Sequence, residues 1–150
     1  MLSSEKVTLR PATKADAPLF YSVIDQTMRE FIIATWGAWN EERVQQESLE
    51  DSTSPNAQVI QVGNIPVGVI LVEREPTHIQ VKQIYLLPEY QRKGIGRYLI
   101  TGIIAEATNS NLPVRLHVLK VNSAKKFYEK LGFIVTETSD EFYFMARMTT

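Results

Sequence analysis

The sequence predicts an α/β fold: a mixed β-sheet flanked by helices, in the order β-α-α-β-β-β-α-β-α-β-β. Three observations predict it. Short runs of alternating apolar residues are interspersed with stretches of helical apolar spacing, the pattern of helices layered on a sheet. Residues 57–62, 65–73 and 78–87 are strand-like and are joined by the turn sequences Gly63-Asn64 and Pro76-Thr77, so they form a meander. After this meander the chain passes from an apolar β-type run through a basic, glycine-bearing turn directly into an amphipathic helix. With 150 residues, the chain is most simply one domain, 1–150, with room for a real core.

Taken in order, residues 6–10 alternate as a short strand, Val7 and Leu9 on one face, closed by Pro11. Thr13-Lys14-Ala15-Asp16 reads as a capping box, and Leu19, Phe20, Val23, Ile24 and Met28 follow at helical spacing. Residues 31–39 form a separate aromatic segment, with Phe31, Ile32, Ile33, Trp36 and Trp39 interrupted by Gly37. Asn40, with Glu41 and Glu42 behind it, starts a second helix to about residue 50, and 51–56 is a polar loop. Beyond the meander, 95–108 is helical with Leu99, Ile103 and Ile104 inward. A loop at 109–113 leads to a strand at 114–121 with Val114, Leu116 and Val118 on one face. Asn122-Ser123 opens a last helix, 124–131, which Gly132 ends, and 133–138 and 142–148 close the chain as a hairpin.

Composition excludes several classes of function. A net charge of −1 argues against a general nucleic-acid binder. The absence of cysteine removes disulfides, thiolate metal sites and a cysteine nucleophile, and two histidines make a His-rich metal site an unattractive reading, so no metal is expected. No apolar run approaches a membrane span and residues 1–6 lack a leader's apolar core, so a cytoplasmic location without membrane partners is the default expectation.

The chemistry concentrates at 83–100. A strand stops at Pro88, and Gln91-Arg92-Lys93-Gly94-Ile95-Gly96-Arg97 carries the chain into a helix. A helix start leaves backbone N–H groups without intrahelical partners and bears the positive end of the dipole, so it suits an anion. Gly94 and Gly96 let a ligand approach the backbone, and Arg92, Lys93 and Arg97 add charge. A Walker A loop is absent, and a dinucleotide fingerprint fails because Leu99 stands where its third glycine belongs.

The string from Pro88 to Gly96 resembles the Q/R-x-x-G-x-G/A motif of the GNAT superfamily of N-acetyltransferases, in its small single-domain bacterial form. Asn122-Ser123-Ala124-Lys125-Lys126-Phe127-Tyr128-Glu129-Lys130-Leu131-Gly132-Phe133 is similar to a second family stretch, N-x-x-A-x-x-x-Y-x-x-x-G-F, with the Asn-to-Tyr spacing one residue shorter. The resemblance covers essentially the whole chain, from Leu9 to Phe144. It implies acetyl-CoA as cosubstrate, lying where two central parallel strands, 78–87 and 114–121, splay apart. Backbone groups near Ile84 and Leu86 would pair with the pantetheine amides as an added strand would. Backbone amides of Gln91, Arg92, Lys93, Gly94, Ile95, Gly96 and Arg97 would hold the pyrophosphate, with Asn122 and Tyr128 completing the cofactor side.

By the same resemblance Tyr128 is the general acid that protonates the departing thiolate; the plainer reading is a helix tyrosine packed on the core. The general base is open. Gln80 and Gln83 occupy the meander strand where a Glu or His often stands, and glutamine cannot serve. His117 and Glu30 are the alternatives, and an amine deprotonated by solvent is a third. Glu30, Phe31, Trp36 and Trp39 are the candidate acceptor pocket, against a reading as aromatic anchors of a helix corner. The expected activity is acetyl transfer to the primary amine of a small molecule or peptide by direct attack in a ternary complex. A non-catalytic acyl-CoA sensor or interaction module on the same fold is the alternative. The resemblance also allows a homodimer, which the sequence leaves undecided.

Overall fold

The computed structural model describes residues 6–149; residues 1–5, within the stretch read above as lacking a leader core, lie outside it. Seven strands form one mixed sheet in the order β1-β2-β3-β4-β5-β7-β6. They are β1 Val7–Pro11, β2 Ala57–Val62, β3 Ile65–Arg74, β4 Ile79–Leu86, β5 Val114–Leu119, β6 Ile134–Thr138 and β7 Phe142–Arg147. Four helices, α1 Ala17–Trp36, α2 Glu41–Ser52, α3 Ile95–Asn109 and α4 Ala124–Lys130, complete the expected order. Every strand pair is antiparallel except β4–β5. No helix among the described residues is long and apolar enough to cross a membrane.

Alternation along β3 sends its apolar side chains to two cores. Ile70 and Val72 join Ile100, Leu116 and Phe133 beneath α3 and α4. Val69 and Leu71 face the other way, onto Phe20 and Val23 of α1. Fully burying one such side chain stabilises the fold by about 1.5–3 kcal/mol. On α3 the inward stripe is Ile95, Leu99, Ile100, Ile103 and Ala107, while Ile104 is only half-buried.

The expected capping box is present: the Thr13 N–H donates to Asp16 Oδ2 at 2.8 Å. Arg10 grips the same carboxylate through two nitrogens at 2.8 and 2.9 Å, and this pairing, opposed by burial, holds the Asp16 pKa below its ordinary value.

Several element ends differ by a residue or two from the sequence reading, and two differences shape the site. Residues 31–36 are not a separate segment but the end of α1, which runs unbroken until Gly37 closes it at φ +84°. Ile24, Met28, Ile32 and Trp36 recur every fourth residue along it, a single helical stripe. The second helix continues past residue 50 to Ser52, so Asp51 lies on its last turn rather than in a loop. Ser52 Oγ and Thr53 Oγ1 donate to the Leu49 carbonyl and satisfy that turn, where propensity alone argues against a helix.

Candidate active site

The sheet is parted at its centre. β4 and β5 pair only at Ile79↔Val114 and Gln80↔Arg115, although β4 continues to Leu86 and β5 to Leu119. The separation begins where β4 bulges: Val72 of β3 faces Val81 but Leu71 faces Gln83, so Lys82 is an extra residue. The bulge also reverses the alternation. Ile79 and Val81 point to the α3–α4 core, whereas Tyr85 turns to the α1 side and Ile84 to the α3 side. Beyond the bulge the β5-facing edge of β4 is an unpaired backbone edge, and the splay that the family resemblance implied is present.

At the far end of this edge lies the glycine-bearing turn. Pro88–Tyr90 forms one 3-10 turn, and the Gln91 side-chain amide donates to the Leu86 carbonyl at 2.9 Å, tying the turn to the end of β4. Arg92 and Gly94 both have positive φ, +60° and +87°. A Cβ at Gly94 would meet nothing within 4 Å, so it is the backbone conformation that requires glycine there. The first bond of α3 runs from the Tyr98 N–H to the Gly94 carbonyl at 3.0 Å. The N–H groups of Ile95, Gly96 and Arg97 therefore precede the helical ladder and are available to an anion. Arg92, Lys93 and Arg97 are exposed around them. A Cβ on Gly96 would meet only Phe127 Cζ at 3.9 Å and Leu86 Cδ1 at 4.0 Å, ordinary contact distances that leave the approach to these amides open.

Tyr128 of α4 is 8% exposed and packs edge-on to Phe133 at 5.5 Å, in the cluster that Ile84 and Leu86 adjoin. Burial, and then the charge that Tyr85 would carry, push its pKa well above the ordinary phenol value. Asn122 precedes Ser123, the N-cap of this helix, and its Oδ1 accepts from the Ala124 N–H at 2.9 Å. His117 of β5 stands edge-on to Phe142 at 4.9 Å and tilted to Phe144 at 5.8 Å. Much of its surface is exposed, yet these rings desolvate it, and with the Lys82 charge they hold its pKa below the ordinary histidine value.

A cavity of about 500 Å³ opens between α1, α2 and β4. The α1 stripe Ile24, Met28, Ile32 and Trp36 forms one wall, Val44 and Ser48 of α2 another, and Gln83 and Tyr85 the sheet side. Trp36 is the one residue of the expected acceptor pocket on this lining. Glu30 is exposed and Phe31 half-buried on α1. Trp39 lies at the α1–α2 corner, donating to Glu41 Oε2 at 2.7 Å beneath the Arg29 guanidinium at 4.4 Å. Two residues to which the sequence reading gave no part meet at this cavity: the Gln83 amide donates to Asp51 Oδ2 at 2.8 Å. Burial, partly offset by this hydrogen bond and by Lys82, raises the Asp51 pKa, and Glu47 and Glu50 add to the rise. Tyr85, half-buried beside them, is pushed up to about 12, chiefly by desolvation.

A family model described as an acetyltransferase (GNAT) domain matches residues 20–146. The chain belongs to the GNAT acetyltransferase family. Solved GNAT structures share its fold at low sequence identity. A Thermus thermophilus acetyltransferase is 21% identical, with a TM-score of 0.74 over 95% of this chain and 96% of that one. The PaiA N-acetyltransferase of Thermoplasma acidophilum, solved in complex with coenzyme A, is 19% identical with a TM-score of 0.72, covering 95% of this chain and 98% of its own. The ribosomal-protein-S18-alanine N-acetyltransferase of Escherichia coli is 19% identical with a TM-score of 0.66, covering 96% of both chains. Comparison with curated proteins finds no match. The parted β4–β5 pair and the turn into α3 are thus features of a GNAT domain. The Asp51–Gln83 pair was hidden in the sequence because its members stand 32 residues apart and one was assigned to a loop.

Proposed function

We propose that the protein transfers the acetyl group of acetyl-CoA to a primary amine by direct attack within a ternary complex, all of it carried by the single domain 1–150. The observation that carries this reading is the unpaired edge of β4 ending at the start of α3. Such an edge offers N–H and C=O groups around Ile84 and Leu86 to an extended amide chain, as a neighbouring strand would. The N–H groups of Ile95, Gly96 and Arg97 then receive a pyrophosphate, with Arg92 and Lys93 at the rim and Gln91 bracing the turn. The bound thioester supplies an activated acetyl group.

In this reading the chain's own residues position and move protons. The amine nitrogen bonds to the thioester carbonyl carbon and loses a proton to a base or to solvent, the carbon–sulfur bond breaks, and Tyr128 gives its proton to the departing sulfur and is reprotonated from solvent. The known activity of the E. coli neighbour, on the alanine of a ribosomal protein, supports an amine acceptor. The test is a calorimetric titration of acetyl-CoA into wild type and Gly96→Val. The free protein has room at Gly96, so the variant is expected to fold normally but lose at least about tenfold in affinity, about 1.4 kcal/mol. Equal affinities would overturn this location of the phosphates.

A further inference from the structure

We propose that the cavity between α1, α2 and β4 is the acceptor pocket, that it takes a primary monoamine borne on an alkyl or aryl group, and that Asp51 receives the amine nitrogen. The inference rests on the acetyl-transfer reading and goes further, naming the class of acceptor and the residue that meets it.

The cavity combines apolar walls with one unneutralised carboxylate. Ile24, Met28, Ile32 and Trp36 present an aliphatic and aromatic surface along α1 and contribute no titratable group. Two acidic residues line the space, and they differ. Glu47 is engaged by Arg43 at 2.9 Å, whereas Asp51, among the described residues, is within ion-pair distance of no Lys or Arg nitrogen. A half-buried carboxylate without a counter-ion is costly, and an incoming ammonium relieves that cost. One acidic site rather than several suits one nitrogen. A polyamine would bring further ammonium groups against the apolar wall, or against Glu47, which Arg43 already engages. A volume of about 500 Å³ is that of a small-molecule pocket.

Gln83 sets the carboxylate in place and points to a missing partner. Its Nε2 donates to Asp51 Oδ2, which fixes the amide so that Oε1 is the other end, and Oε1 is buried without any hydrogen-bond partner. Buried polar atoms are seldom left so, and an amine beside Asp51 supplies an N–H to it after a small side-chain shift. The location also suits the reaction. Gln83 stands just past the Lys82 bulge, on the part of β4 that has left β5, two residues before Tyr85 on the same lining. Asp51 therefore takes one proton from the attacking amine, an arriving ammonium having first given one to solvent, while Tyr128 gives one to the leaving thiolate. The nitrogen–carbon bond forms as the carbon–sulfur bond breaks. The strand position that carries glutamine is thus served by a carboxylate from α2.

The charged groups around Asp51 are Glu47 and Glu50 on its own helix, Lys82 on β4, and Arg43 across the cavity; α1 adds none to the lining. Burial raises its pKa, so base catalysis by Asp51 appears as an acidic limb in kcat/KM, displaced above the ordinary carboxylate range.

The experiment measures free-thiol release from acetyl-CoA with 2-phenylethylamine, hexylamine and spermidine, in wild type, Asp51→Asn and His117→Asn. Both monoamines are expected to exceed spermidine in kcat/KM by at least about tenfold. Asp51→Asn keeps the acceptor oxygen for Gln83, so it is expected to fold with an unchanged or higher Tm and unchanged acetyl-CoA affinity. Its kcat/KM is expected to fall by about 10²-fold or more and to lose the acidic limb, which His117→Asn retains. Preference for spermidine, wild-type turnover in Asp51→Asn, or loss of the limb in His117→Asn alone each overturns the assignment while leaving acetyl transfer standing. Acetyl-CoA binding without thiol release from any amine overturns acetyl transfer itself, and the assignment with it.

Discussion

A phenol that is to release its proton only as a thiolate forms must hold that proton until then. Tyr128 meets the condition because burial, not a hydrogen-bond donor, dominates its surroundings, and burial disfavours the phenolate. Tyr128→Phe keeps the ring against Phe133 and removes only the hydroxyl. Single-turnover acetyl transfer is expected to fall by about 10²–10⁴-fold, with acetyl-CoA affinity little changed. The dependence should weaken for a thioester with a more acidic thiol, since a better leaving group needs less help. Wild-type single-turnover rates on both thioesters would reduce Tyr128 to a packing residue. This tyrosine was readable in the sequence because it stands in a motif ahead of Leu131-Gly132-Phe133. Asp51 was not, because a carboxylate in Glu50-Asp51-Ser52-Thr53 is indistinguishable from a solvated loop until α2 is folded onto β4.

Among the elements, β4 bears the largest share of the site. Its bulge at Lys82 ends pairing with β5 and turns Gln83 and Tyr85 toward the cavity proposed for the acceptor, while Gly68 of β3 sets how closely its other edge is held. A Cβ at Gly68 would lie 2.3 Å from the Tyr85 carbonyl oxygen, a backbone atom that cannot swing aside. Gly68→Ala is expected to cost about 1–3 kcal/mol, read as a lower Tm, and to weaken acetyl-CoA binding in the same variant because the displaced strand carries Leu86. An unchanged Tm would show that β4 yields freely and that the slot is not held from the β3 side. Alternation in the sequence located the strands of this meander, but a bulge leaves no composition signal. The α1 stripe was legible in principle: Ile24, Met28, Ile32 and Trp36 keep step at every fourth residue. The cluster of aromatic residues around Gly37 obscured it, although Gly37 marks only the helix end.

For the whole molecule, the order of elements followed from periodicity and turn residues, because each apolar stripe must face one of two cores across the sheet. The parting of β4 and β5 came only through the family resemblance, since it depends on pairing between segments some thirty-five residues apart. In the proposed site that gap joins two halves, with the α3 turn at the end of β4 and the Asp51–Gln83 pair beside its middle. A binding module would need only the first half; an enzyme needs both. The most direct measurement mixes excess protein with acetyl-CoA in the presence and absence of a panel of primary amines, alkyl, aryl, polyamine and peptide amino-terminal. Free thiol and acetylated product are followed together in a single turnover. Amine-dependent thiol release with one acetylamide formed per thiol is the expected result. Saturable binding of acetyl-CoA with no amine-dependent thiol release across the panel would contradict it and leave an acyl-CoA-binding module.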